Sequence, residues 1–266
     1  MANNVLPDPL NVRLPEPLEV VSTNTSDFDS NVSLGLVEGY DMVIVQGENL
    51  DVDVANRENL WPVGGTLVYP VTGEQWEVRS SDANDSATGT GARSVLITYL
   101  DDNYIEQELE VALNGSSPVV AGATDMFRLQ KFSVATVGSS GFNQGNITVR
   151  VAGNGDDRGR ILEGENNSLH GFFTVPAGKS AFIVYGNASC KKNDEAVIDF
   201  YMTSGTDGVF RRNKFADLFG NTTYIQPRYP LGPIIEKSDI QFLAKSFNTN
   251  NEASAFLQLL IVDNEA

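Results

Sequence analysis

Cysteine and histidine are almost missing from this chain: one of each occurs in 266 residues. The single thiol, Cys190, rules out an intrachain disulfide, and metal sites built on several Cys or His ligands are excluded by count. Any nucleophile–base pair would have to recruit His170. That residue sits in Ser168-Leu169-His170-Gly171-Phe172-Phe173, a segment that reads as a strand, and a strand histidine among aromatics reads as structural. Positive charge is scarce as well. There are 18 Lys and Arg against 35 Asp and Glu, a formal net charge of −17. Phosphates would repel such a surface, so no nucleic-acid partner is expected. No apolar run approaches the ~20 residues that span a bilayer, so no membrane partner is expected either. The start, Met1-Ala2-Asn3-Asn4, lacks a basic region followed by an apolar stretch, and no secretory signal is expected. Sustained helical periodicity is also lacking; the best helical candidate is short, around Asn213–Phe219.

What is present is a core-forming composition, 41% hydrophobic, cut into short segments by Gly, Asn, Asp and Pro. Strand candidates are Thr66–Val71 with Gln75–Arg79 as its hairpin partner, then Arg93–Leu100, Ile105–Leu113, Pro118–Ala121, Met126–Val137, Asn146–Ala152, Gly159–Leu162 and Leu169–Val175. Ser180–Asn187, Ala196–Met202, Gly208–Arg211, Thr222–Gln226, Asp239–Ser246 and Ala255–Val262 follow. In Ile105–Leu113, Ile105, Leu109, Val111 and Leu113 share one face and Glu106, Glu108 and Glu110 the other, the pattern of a half-buried antiparallel strand. Many short strands at even spacing predict an all-β chain, an antiparallel β-sandwich of jelly-roll-like kind. Two polar loops, Ser80–Gly91 and Gly138–Gly145, interrupt it, and the second is the expected boundary between a first β region (32–137) and a second (138–266).

Residues 1–31 differ from the rest. Pro7, Pro9, Pro15 and Pro17 recur too closely for helix or central strand. Leu6, Leu10, Leu14 and Leu18 fall between them. This reads as an extended Pro-rich N-terminal arm whose leucines are the candidate interaction residues, docking on a neighbouring subunit.

Constellations that carry chemistry are weak. Asp82, Asn84 and Asp85 crowd one loop, but the Gly and distal Glu of an EF-hand loop are absent, and solvated acidic turns are the expectation. Asp101 with Asp102 and Asp156 with Asp157 read the same way. Thr88-Gly89-Thr90-Gly91 lacks the Gly-Lys-Ser/Thr ending of a phosphate loop and precedes a strand rather than a helix. Trp61, Tyr69, Trp76, Tyr99 and Tyr104 would bind sugars only if they faced outward together; core packing is the default. No catalytic residue, cofactor or metal site is therefore assigned, and the chain is expected not to be an enzyme.

Several motifs recur in one order: Gly89-Thr90-Gly91-Ala92, Leu100-Asp101, the acidic strand Glu106–Glu110, Leu113-Asn114-Gly115, Phe127-Arg128-Leu129, Gly138-Ser139-Ser140-Gly141, Asn143–Thr148, Val175-Pro176-Ala177-Gly178-Lys179 and Gly208-Val209-Phe210-Arg211. In these residues the chain, over roughly 60–262, resembles a group of tailed-bacteriophage virion structural proteins. The resemblance implies a protein incorporated in the virion at the particle surface, assembled in the host cytoplasm, with no catalytic residues. It fits best a capsid decoration (cement) protein, a homotrimer that binds major capsid protein or other virion proteins. The alternative is a tail, neck or fibre component serving as adaptor or receptor-binding module.

Overall fold

A computed structural model describes residues 28–191, 195–219, 223–225, 230–247 and 249–264. The chain is all-β with antiparallel sheets, as expected. One short helix, α1 (Phe28–Ser33), precedes seventeen strands: β1 (Tyr40–Val52), β2 (Glu58–Asn59), β3 (Trp76–Ser80), β4 (Ala92–Leu100), β5 (Glu106–Ala112), β6 (Val119–Val120), β7 (Arg128–Val137), β8 (Ile147–Val151), β9 (Asp157–Ile161), β10 (Phe172–Thr174), β11 (Lys179–Cys190), β12 (Glu195–Met202), β13 (Arg211–Phe219), β14 (Thr223–Ile225), β15 (Leu231–Ile234), β16 (Asp239–Ser246) and β17 (Asn251–Asp263).

Four sheets enclose two hydrophobic cores. One sheet runs β1-β17-β11-β14 with β15 beside β11, and another β10-β16-β12-β13 with β2 beside β16. Their inward residues, among them Val45, Ala181, Leu257 and Leu259 from the first and Phe173, Ile198, Phe200 and Phe242 from the second, form a single cluster. The remaining sheets, β6-β3-β8-β9 and β5-β4-β7, share a second cluster that holds Trp61, Trp76, Ile97, Phe132 and Ile147. The chain leaves the first core and re-enters it at two dipeptides. Leu60 packs in the first core and Trp61 in the second; Phe172 packs in the second and Phe173 in the first. Phe172 and Phe173 are successive residues of β10 and point to opposite faces; Leu60 and Trp61, just after β2, divide between the cores in the same way, so each dipeptide stitches the two lobes together. The second lobe is thus an insertion of residues 61–172.

The stitch is close. Leu60 N–H donates to the Phe242 carbonyl and Phe242 N–H to the Gly171 carbonyl, both at 3.0 Å, while Gly171 N–H donates to the Gln46 carbonyl at 2.7 Å. A Cβ on Gly47 would stand 2.6 Å from both Gly171 Cα and Leu60 O. Only glycine lets the three segments meet.

Two expectations are corrected. Thr66–Val71 is not a strand and forms no hairpin with β3, which pairs instead with β8 and β6. Pro70 offers no donor, and the segment's polar groups are met by side chains: Leu67 N–H donates to Asn59 Oδ1 (2.8 Å), Arg158 to the Val68 carbonyl (3.0 Å) and Arg128 to the Pro70 carbonyl (2.9 Å). Asn213–Phe219 is not helical but belongs to β13, where Ala216 and Leu218 face the first core in period two. Phe132 before the 138–145 loop and Ile147 after it share the second core. The segment around Pro233 contributes β15. Of the expected arm, residues 1–27 with Leu6, Leu10, Leu14 and Leu18 lie outside the described residues; Phe28 to Asn31 open α1.

Candidate interaction surfaces

The acidic loops act as structural clamps. Asp82 Oδ1 accepts Asn84 N–H at 2.7 Å, and Asp101 Oδ1 accepts Asn103 N–H at 2.8 Å and Ile105 N–H at 3.0 Å, closing the β4–β5 turn. Asp102 accepts Gly73 N–H. Asp157 pairs with Arg160 at 2.9 Å. Among the described residues, no three His, Cys, Asp or Glu side chains converge as metal ligands.

Asp85 is different in being wholly buried. Its Oδ1 accepts Ala92 N–H and Gln144 N–H, both at 2.8 Å, and its Oδ2 accepts Gly145 N–H at 2.9 Å and the Ser80 hydroxyl at 2.6 Å. One carboxylate therefore pins the Ser80–Gly91 loop, the start of β4 and the 138–145 loop. A Cβ on Gly91 would stand 2.1 Å from Asp85 Oδ1. The Gly-Thr-Gly-Ala motif is explained by this close approach, not by a ligand. Across from it, Gly138 N–H donates to the Gly91 carbonyl at 2.7 Å and Ser140 N–H to the Thr90 carbonyl at 2.9 Å.

His170 is buried against the Phe172 ring, with centroids 4.6 Å apart. Its Nε2 lies 3.2 Å from the Gln130 carbonyl and its Nδ1 3.3 Å from the Ser168 hydroxyl. Burial pushes its pKa down from 6.5 to about 4, against the two hydrogen bonds. The sign follows directly. Between those pH values the unfolded chain takes up a proton that the folded chain refuses, so stability is lost as pH falls from 6.5 towards 4. The expected loss is about 1.4 kcal/mol per pH unit within that window. Urea unfolding at pH 7 and pH 5 should show it, and His170→Gln should remove that share of the slope.

Beside His170 a cleft of about 520 Å³ separates the lobes, with Asp41–Gln46 of β1 on one wall and Thr98, Glu106, Glu108, Gln130 and Lys131 on the other. Burial raises the Glu106 pKa; Lys179 opposes this, and Glu108 and Asp41 add to it.

An apolar surface lies on the outer face of the β1-β17-β11 sheet. Ladder register places Tyr40, Met42 and Ile44 of β1 opposite Val262, Leu260 and Gln258 of β17, and Ser180 and Phe182 of β11 opposite Val262 and Leu260. Phe256 and Tyr185 continue the same face, ring centroids 5.5 Å apart. Their chain neighbours Val45, Leu257, Leu259, Ile261 and Ala181 fill the first core. Ile44 is 57% exposed. α1 lies against β1, its Val32 buried and its Phe28 ring edge-on to Tyr40 at 5.5 Å. A sign of this face was present in the sequence: Met42–Val45 and Leu259–Val262 are unbroken apolar runs, the pattern of strands covered on both sides.

No protein-family model and no curated protein matches the chain. Among solved structures, it is similar to a chain in the structure of infectious bursal disease virus Gt strain, with 12% identity over 84% of this chain and 72% of that one and a TM-score of 0.22. It is also similar to a crystal structure of an infectious bursal disease virus VP2 subviral particle (9% identity, 86% and 73% covered, TM-score 0.21). At this level of likeness, function has to be argued from the chain's own geometry.

Proposed function

We propose that the chain is a structural subunit of a virus particle, folded as a jelly roll that carries an inserted second β lobe. The observation behind this reading is strand order. Numbered one to eight along the chain, β1, β10, β11, β12, β13, β14, β16 and β17 form one sheet in the order 1-8-3-6 and another in the order 2-7-4-5. Every connection but the fourth-to-fifth crosses between sheets. That interleaving supports reading the first lobe as the double Greek key of jelly rolls, an architecture of viral shells and lectins. The finer reading is a tailed-phage capsid decoration or cement protein, a homotrimer at the particle surface. Its work is binding rather than turnover. The acidic surface avoids packaged nucleic acid, and the Leu6–Leu18 arm and the sheet faces bridge major capsid subunits.

Copy counting and a cryo-EM map of the native particle test this. The expected result is a number that scales with capsomers and density on the shell. A handful of copies at one vertex would move the protein to the tail, neck or fibre, where receptor binding is the competing role. Absence from purified particles would overturn the virion reading.

A further inference from the structure

We propose that the free edge of β1, from Met42 to Gln46, takes an extended basic segment of a partner protein as an added antiparallel strand in the cleft between the lobes. β1 lies at the end of its sheet and pairs with β17 on one side. Asp263 N–H donates to the Gly39 carbonyl at 2.9 Å. In the alternation of an antiparallel ladder, the odd-numbered residues of β1 therefore bond β17, and the even-numbered ones turn their N–H and C=O groups away from it. Part of that outer edge is already used. Gly171 N–H donates to the Gln46 carbonyl at 2.7 Å and Glu48 N–H to the Leu169 carbonyl at 3.1 Å, an antiparallel bridge of Gly47 with His170. At Phe172 the chain leaves β1 and pairs with β16 instead. The Met42 carbonyl, both backbone groups of Ile44 and the Gln46 N–H then have no hydrogen-bond partner among the described residues, while Met42 N–H is held by Asp41 Oδ1 at 2.7 Å. These groups lie where residues 41–46 form one wall of the cleft, in line with the ladder that the 169–171 segment begins.

Charge selects the occupant. Glu106 and Glu108 stand on the opposite wall and Asp41 on β1 itself, and Lys131 is the one lysine or arginine lining the cleft. Lys179, which acts on Glu106 from nearby, is paired with Asp263 at 2.8 Å. His170 is neutral at pH 7. Glu108 and Asp41 repel the charge on Glu106, and a cation between the walls relieves that repulsion. A second copy of this chain, at net charge −17, is disfavoured by the same field, so the occupant is a lysine- or arginine-bearing strand of another protein. Main-chain bonds to the edge supply affinity and the side chains supply selectivity, the division of labour of strand addition. The inference concerns the isolated chain, and its failure leaves the virion reading untouched.

The probe is the acetylated and amidated peptide Thr-Lys-Val-Lys-Val-Lys-Thr, titrated into the purified full chain at low salt. A Kd below about 1 mM is expected, together with slowed hydrogen exchange at the Ile44 and Gln46 amides. The same peptide with Glu for Lys should not bind. Glu106→Gln/Glu108→Gln, two exposed positions, should weaken binding about tenfold. Ile44→Pro removes an outward donor that the β17 ladder does not use, a change edge strands accommodate, and should weaken it about tenfold as well. If Ile44→Pro does not fold, the exchange measurement on the wild type decides alone. No binding, or binding that leaves the two amides unprotected, would overturn the inference. So would equal affinity for the Lys and Glu peptides, an unchanged Kd in the Gln pair, or an unchanged Kd in a folded Ile44→Pro. Protection of the two amides that grows with chain concentration in the absence of peptide would make the occupant another copy and overturn it too.

Discussion

Asp85→Ala is expected to remove about 4–6 kcal/mol of folding stability, since each orphaned buried donor costs about 1–3 kcal/mol. Ala92, Gln144 and Gly145 would lose the acceptor of their N–H groups, and the Ser80 hydroxyl would lose its own. Asp85→Asn separates acceptor count from shape. The amide keeps one oxygen for two of the donors, and the Ser80 hydroxyl can turn to accept from the new NH₂, so only Gly145 N–H faces another donor. The expected cost is then about 1–3 kcal/mol. Denaturant midpoints at unchanged slope measure both. A loss under about 1 kcal/mol for the alanine variant would mean that water reaches these donors, and the clamp would be unnecessary to the fold.

That clamp shows how far the sequence could be read. The loop composition of Ser80–Gly91 pointed to turns, and turns are there. The segment looked solvated because it is polar, yet its central carboxylate is buried: short-range composition reports backbone preference, while burial depends on which distant loop arrives, here residues 138–145. The same limit explains the domain boundary. Gly138–Gly145 is rich in turn residues, but the cores are divided at Leu60-Trp61 and Phe172-Phe173, apolar pairs whose only adjoining breakers are single residues, Pro62 and Gly171.

Strand alternation was legible wherever one face is wet, as in β5 with its exposed Glu106, Glu108 and Glu110. It misled at Asn213–Phe219, where Phe215, Ala216 and Leu218 are equally compatible with a short helix turn, and pairing with β12 decided the outcome. At Thr66–Val71 the β-branched residues read as a strand, but arginine side chains, not a neighbouring strand, donate to its Val68 and Pro70 carbonyls. For the interaction surface, the arm leucines were visible as a sequence oddity. The sheet face left a sign only in its apolar runs, which do not say whether their second side meets core, partner or solvent.

Arg128→Met is expected to cost about 3–5 kcal/mol, the usual penalty for stranding one member of a buried ion pair. Arg128 on β7 of the inserted lobe holds Asp239 on β16 of the first lobe in a fork, Nε to Oδ1 at 2.9 Å and Nη2 to Oδ2 at 3.1 Å. Both side chains are buried. Thr174 donates its hydroxyl to Asp239 Oδ1 at 2.6 Å, and the guanidinium stacks on Phe127, 3.9 Å from the ring centroid. Asp239→Leu alone should cost a similar amount, and Arg128→Met/Asp239→Leu less than the sum, since neither charge is then left buried and unpaired. The pair also couples the lobes, and the two tryptophans make that measurable. Trp61 and Trp76 both belong to the second core, so their fluorescence follows the inserted lobe, whereas far-ultraviolet dichroism follows both. In the wild type the two signals should melt together. In Arg128→Met the fluorescence transition should come first, because the inserted lobe loses its buried anchor to β16. Coincident transitions in the variant would place the coupling in the Leu60–Phe173 stitch alone.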